Sequence, residues 1–292
     1  MTHQRHHFVP EFYQRGFIED GSGLIWVYEK GRVPRQRSVK KGAGFEVNLY
    51  AFTNPDGSVN VESVERKLAN LDSDAAAIIR KIDMGTPISV QERKLLCTFI
   101  GVMYRRTPEH RRVVREMAAE TIPDLFDTVE AERFTPHFKN IDNLTAEQRQ
   151  RLAQRYSEFL ALKAQYSAEP PDFLFPSLVV NNSIFETLLE RLDWAFFKST
   201  PQKPFLTCDN PVVFNLSPRH KQGGLLFFPL SRHTLLQAMG ESSYGGTYRQ
   251  LADRKVEILN QYVVRQAKEQ VYSGRRDSGL EKFISRWLGK GF

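Results

Sequence analysis

Three features of the 292-residue sequence predict an α+β fold. A short apolar hairpin lies near the amino terminus, a long middle region carries apolar residues at helical spacing, and the last third holds brief aromatic and β-branched segments parted by Pro, Asn and Gly. The expected sheet is mixed or antiparallel and is built from the amino-terminal hairpin together with the carboxy-terminal strands. Neither strand group is large enough to bury itself alone. One domain over 1–292, with a mainly helical insertion at about 61–192, is therefore the expected organisation.

Taken in order, Leu24 to Tyr28 and Val33 to Val39 read as two strands joined through Glu29, Lys30 and Gly31. From Val61 the spacing of Val64, Leu68, Leu71, Ala75, Ile78, Ile79 and Ile82 predicts a helix that stops at Gly85 and Pro87. Ser89 followed by Glu92 is a capping-box pair opening a second helix through Tyr104. Pro108 is tolerated in a first turn, and Val113, Val114 and Met117 keep an apolar face beyond it. Residues 120–143, with Pro123 and Pro136, read as a partly irregular connection. Thr145 caps a helix over Ala146 to Gln165, SAEPPDF breaks the chain, and one further helix is expected over Pro176 to Leu192. Strands are expected at Trp194–Lys198, Phe205–Cys208, Val212–Leu216, Leu225–Leu230 and Leu235–Met239, then a closing helix from Asp253 to Tyr272 and an aromatic, basic tail.

Composition narrows the function classes. With 41% hydrophobic residues and 21 phenylalanines the core is aromatic, yet no apolar run approaches the roughly 20 residues of a membrane helix, so a soluble protein is expected. Phe8 and Val9 are followed at once by Pro10 and Glu11, so the first 17 residues lack the apolar core of a secretory leader. Cys97 and Cys208 are the only cysteines and sit in apolar contexts, which argues against a disulfide scaffold or a cysteine zinc site and fits a reducing cytoplasm. The net charge of +7 is concentrated: Lys30 to Lys41 holds six basic residues and no acid, and Tyr104 to Arg115 holds five arginines and one glutamate. Such patches attract RNA, DNA or a nucleotide through phosphate contacts, and equally serve as a solvated surface.

HHFVPEFYQRGF (His6 to Phe17), LIWVYEKGR (Leu24 to Arg32), RRTP (Arg105 to Pro108) and TCDNPV (Thr207 to Val212) together resemble the bacterial family catalogued as domain of unknown function 4238. The similarity spans nearly the full chain. Gln14 replaces the usual leucine of the first motif, and Cys208 a common serine beside the aspartate. The resemblance implies a shared fold and a shared set of polar positions, and no reaction.

Those positions define the candidate site. His6 and His7 are adjacent, so on an extended segment they point to opposite faces and one of the two is the functional candidate. Met by Asp209, either histidine becomes a carboxylate-oriented general base, or His6 and Asp209 become two ligands of a divalent metal ion. The alternative is that Asp209 and Asn210 only bond the turn backbone before Pro211. Arg105 and Arg106 end a helix about 100° apart, so one faces inward and needs an anion: a buried carboxylate or a ligand phosphate. Glu11 completes an acid–base set or pairs with Arg15 at i,i+4. Lys30, Arg32, Arg35 and Arg37, with Asn210, are the candidate substrate-binding residues. His3, His110, His137, His220 and His233 show no metal-ligand spacing, and no GxGxxG, GxSxG or HExxH motif occurs.

Two readings follow. One is a phosphodiester hydrolase acting on nucleic acid, with His6 or His7 activating water, Asp209 orienting it or holding a metal, and Arg105 or Arg106 stabilising charge on the phosphate. The other is a non-catalytic nucleic-acid or nucleotide binding module whose basic hairpin grips the backbone while Trp26 or Tyr28 stacks on bases. A small-molecule hydrolase or transferase with an anionic substrate is the third. Oligomeric state is not encoded in any motif.

Overall fold

Two sheets divide most of the strands, and helices fill the space around them. A computed structural model describes residues 4–19, 21–54, 56–181, 183–215, 225–240 and 246–291. His3, His220 and the end of the strand expected at Val212–Leu216 lie outside the described residues. The first part of the chain forms β1 (Arg5–His7), α1 (Glu11–Arg15), β2 (Leu24–Glu29), β3 (Arg35–Ser38), β4 (Phe45–Val47), β5 (Phe52–Thr53) and β6 (Val59–Asn60). The helical middle holds α2 (Ser63–Asp83), α3 (Val90–Arg105), α4 (Pro108–Val129), α5 (Thr135–Lys139), α6 (Ala146–Ala168), α7 (Leu174–Asn181) and α8 (Ile184–Arg191). The last part holds β7 (Asp193–Lys198), β8 (Thr207–Cys208), β9 (Val213–Asn215), β10 (Leu225–Pro229), β11 (Thr234–Met239), β12 (Tyr248–Gln250), α9 (Asp253–Gln266), β13 (Gln270–Ser273) and α10 (Ser278–Trp287). The fold is α+β, as the sequence predicts.

The amino-terminal hairpin and the carboxy-terminal chain share the four-stranded sheet β3-β2-β13-β8, whose pairs are all antiparallel. A second sheet, β12-β7-β11-β10-β9, belongs to the carboxy-terminal part and is antiparallel except where β12 runs beside β7. Strand β2 is apolar on both faces because both are covered. Ile25 and Val27 enter the main core, while Trp26 and Tyr28 enter a second cluster with residues of α9 and α10. The short β1 pairs with β4, and β5 with β6.

Several elements depart from the sequence expectation, each for an identifiable reason. The closing helix ends at Gln266 rather than Tyr272, and β13 follows. The Asp209 carboxylate accepts the backbone N–H groups of Lys268, Glu269 and Gln270, and Val271 and Tyr272 then pair with β2. The helix expected over Pro176–Leu192 is two: α7 ends at Asn181 and α8 begins at Ile184, and Asn and Ser side chains compete with a helical backbone for its hydrogen bonds. Residues 120–143 are mostly helical: α4 runs through Pro123, a π-helical turn spans Glu130–Phe134, and α5 follows. The order comes from aromatic packing against α6, where Phe126 and Phe134 lie 5.4 and 4.8 Å from Phe159 and Phe138 lies 4.8 Å from Tyr156. The tail contains α10, whose Leu280, Phe283, Ile284 and Trp287 pack on the second cluster.

The cap chemistry of the middle helices follows the sequence. Ser89 and Glu92 complete a capping box on α3, and Thr107 caps α4 with Pro108 in its first turn. Between α3 and α8 the approach is close because Gly101 has no side chain. The Glu186 carboxylate occupies the space above it and binds Arg105 through Oε1 at 2.6 Å and Oε2 at 3.1 Å. A Cβ at Gly101 meets that carboxylate at 2.5 Å. Gly101→Ala is therefore expected to push Glu186 off Arg105 and lower urea stability by about 1–3 kcal/mol or more; a stability equal to the native chain would contradict this packing.

Candidate functional site

The two histidines of β1 point apart, as alternation along a strand requires. His6 is buried, and both its ring nitrogens bind backbone. Nδ1 accepts the Tyr50 N–H at 2.9 Å and Nε2 donates to the Val61 carbonyl at 2.9 Å, which selects the Nε2–H tautomer. The ring stacks on Tyr50 at 5.3 Å, and burial pushes its pKa down. No ring nitrogen of His6 is left for a metal or a substrate.

His7 faces the other way, 6.0 Å from the Phe45 ring, with a buried Nε2 that has no hydrogen-bond partner. Burial and the nearby Arg106 lower its pKa. Its carbonyl accepts from Arg106 Nη2 at 2.7 Å. Arg106 is fully buried and also donates to Asp72 from Nη1 at 2.8 Å, while the Tyr50 hydroxyl donates to the Arg106 carbonyl at 2.9 Å. Arg105 is committed to Glu186 and, through Nη2, to the Val179 carbonyl at 3.3 Å. Both arginines thus meet protein acceptors. Glu11 pairs with Arg15 at 2.6 Å.

Asp209 closes a different junction. Oδ1 accepts from Lys268 N at 2.9 Å, and Oδ2 from Glu269 N at 2.7 Å and Gln270 N at 3.0 Å. Its residue is 8% exposed and Asn210 is 7% exposed. The Asn210 side chain makes no hydrogen bond to any described residue. Thr207, at the start of the same stretch, lies 2.9 Å from the Tyr13 hydroxyl, which donates to the Pro229 carbonyl at 2.7 Å. The first and last sequence motifs are joined there.

Three of the motif stretches meet at a cavity of about 350 Å³. Phe8 comes from the first, Thr107 and Pro108 from the second, Asp209 and Asn210 from the third, with Phe45 beside them. His6, His7, Arg105 and Arg106 do not line it. Among the described residues no three His, Cys, Asp or Glu side chains are grouped to hold a metal ion.

The candidate substrate-binding cations lie elsewhere. Glu29 accepts from Arg32 and Arg35, each at 3.0 Å, whereas exposed Lys30 and Arg37 make no ion pair with a described residue. Lys30 and Arg32 line a groove of about 420 Å³ that is closed on its other side by Arg276, Glu281 and α10. On the opposite flank of α10 a second groove, about 460 Å³, is lined by Arg254, Lys282, Arg286 and Trp287. The half-buried Trp287 ring has Arg286, Lys290 and Arg265 at 5.3, 5.8 and 6.0 Å from its centre. Arg276 stands over Trp26 at 5.2 Å.

The basic α10 surface was missed by sequence reasoning, although Leu280, Phe283, Ile284 and Trp287 at i, i+3, i+4 and i+7 carry the helical signal. Also missed were Glu186 and Asp72, the carboxylates that hold the two arginines. Nothing in their local sequence marks them.

A family model described as "Protein of unknown function (DUF4238)" matches residues 5–277. No curated protein and no solved structure matches the chain.

Burial raises the Asp209 carboxyl from 3.8 to about 6, against the three amides that favour its charged form. Between about pH 4 and 6 the folded chain therefore holds a proton that the unfolded chain has released, so the Asp209 contribution to stability is largest at low pH and declines as pH rises through that window. Asp209→Asn places an amide NH2 against backbone donors and is less stable throughout. Its deficit relative to the native chain, measured by urea unfolding, is expected to narrow by up to about 3 kcal/mol from pH 4 to pH 6; a widening deficit would reverse the sign of this argument.

Proposed function

Because the chain belongs to the DUF4238 family, whose description assigns no activity, we propose its function from surface chemistry: it binds the phosphate backbone of a nucleic acid on the face formed by the β2–β3 hairpin and α10. One observation carries this reading. Grooves on both flanks of α10 are lined by more cations than carboxylates, and a partly exposed tryptophan, Trp287, lines one of them. Lys30, Arg254 and Lys282 have no ion pair among the described residues, so their charge is available to phosphates. Trp287 offers a stacking surface beside them, which suits a single-stranded segment with unpaired bases.

This favours binding over hydrolysis. A hydrolase needs a base, an oriented water and a charge stabiliser within reach of one phosphate. His6 has no free ring nitrogen; the unpartnered Nε2 of His7 is buried, and His7 does not line the cavity that holds Asp209. Arg105 and Arg106 are buried on Glu186 and Asp72, and Asp209 accepts three backbone amides. Their shared chemistry is the holding of the fold.

Fluorescence anisotropy with labelled single-stranded RNA, single-stranded DNA and duplex DNA, across a salt series, tests the reading. Binding is expected to weaken linearly in log–log form with salt. Lys282→Glu with Arg286→Glu is expected to reduce the slope by about 1.5, from two lost phosphate contacts on a single strand. Affinity that is absent, or that is unchanged by salt and by these charge reversals, would contradict it.

A further inference from the structure

The cavity where the motif stretches meet is unlike the α10 grooves in its charge. Of its lining groups, Glu109 is held by Arg112 at 2.9 Å and by Lys268 at 2.9 Å, and Glu46 pairs with Arg111 behind the wall. Once those pairs are formed, Asp209 and Glu269 remain without a cationic partner among the described residues. Asp209 is buried, and its Oδ1 accepts a single hydrogen bond, leaving acceptor capacity there. Next to it, Asn210 is 7% exposed and lines the cavity with an amide that has no partner among the described residues. Its polar atoms open onto the cavity, where a ligand can complete them. Phe8, Phe45 and Pro108 supply apolar wall.

We propose that this cavity is a binding site for a small organic cation, an ammonium or guanidinium group on a short apolar stem. The cation donates to Asp209 Oδ1 and to the Asn210 amide carbonyl, while the stem lies against Phe8, Phe45 and Pro108. A phosphate or carboxylate is excluded by the same two unpaired acids that attract the cation. The volume of about 350 Å³ is at the small end of ligand sites, which limits the stem to a few carbons. The site shares no lining residue with the two α10 grooves. It therefore stands or falls independently of nucleic-acid binding.

Ligand-observed NMR of the full chain with n-butylammonium and N-butylguanidinium, beside butan-1-ol and butyrate, tests the assignment. At least one cation is expected to bind at roughly millimolar affinity or better, about tenfold tighter than the alcohol, with butyrate not bound. Asn210→Ala is expected to weaken cation binding about tenfold, the loss of a hydrogen bond to a charged group, while leaving thermal unfolding unchanged because the native amide opens onto the cavity and bonds to no described residue. Asp209→Asn is expected to abolish binding; should that variant fail to fold, Asn210→Ala decides. No binding by either cation, equal binding of cation and alcohol, preference for butyrate, or cation binding indifferent to Asn210→Ala would each overturn the proposal.

Discussion

The guanidinium of Arg106 is the constraint around which the amino-terminal half is organised. An arginine side chain cannot shed its charge when buried, so every neighbour must supply an acceptor or a compensating charge. Asp72 on α2 supplies the charge, and the His7 carbonyl on β1 supplies the second acceptor. The Arg106 carbonyl receives the Tyr50 hydroxyl, and Tyr50 in turn stacks on His6 and donates its N–H to that ring. Strand β1, the segment around Tyr50, α2 and the α3–α4 junction are thereby fixed to one another. Breaking such a pair leaves a stranded buried charge, at about 3–5 kcal/mol.

Asp209 performs the corresponding task in the carboxy-terminal half. By accepting three consecutive backbone donors it fixes the segment between α9 and β13, and β13 then bridges β2 and β8. The sheet that unites the two ends of the chain depends on that bridge. Polar residues that look catalytic in the sequence are in this way the residues on which the fold closes, and the cavity lies where the closures meet.

What the sequence discloses divides along the same line. Helices α2 and α3 are legible because their information is local: a 3.6-residue apolar period, and Ser89 with Glu92 three positions on. The hairpin and most carboxy-terminal strands are legible for the same reason. The end of α9 is not, because its terminator lies 59 residues away at Asp209. The π-helical turn at Glu130–Phe134 and the passage of α4 through Pro123 depend on aromatic contacts with α6, which no local pattern announces. At the site, His6, His7, Arg105, Arg106 and Asp209 were selectable by chemistry, but the partners that occupy most of their polar atoms are Val61, Tyr50, Glu186, Asp72 and the backbone of 268–270. Titrating residues advertise capacity for chemistry; only long-range contacts decide how that capacity is used.

The charge of the molecule is consequently separated by role. Cations inside are consumed by carboxylates, as at Arg105 and Arg106, and one set of cations outside lines the grooves beside α10 and the hairpin. Hydrogen–deuterium exchange with and without a single-stranded oligonucleotide tests that separation most directly. Slowed exchange confined to Leu24–Ser38 and Asp277–Gly291, with no change at Arg105–Pro108 or Thr207–Val212, is the predicted result. Protection at the latter two stretches, with the α10 face unaffected, would mean that the motif residues themselves meet the nucleic acid, contradicting their assignment to the frame of the fold.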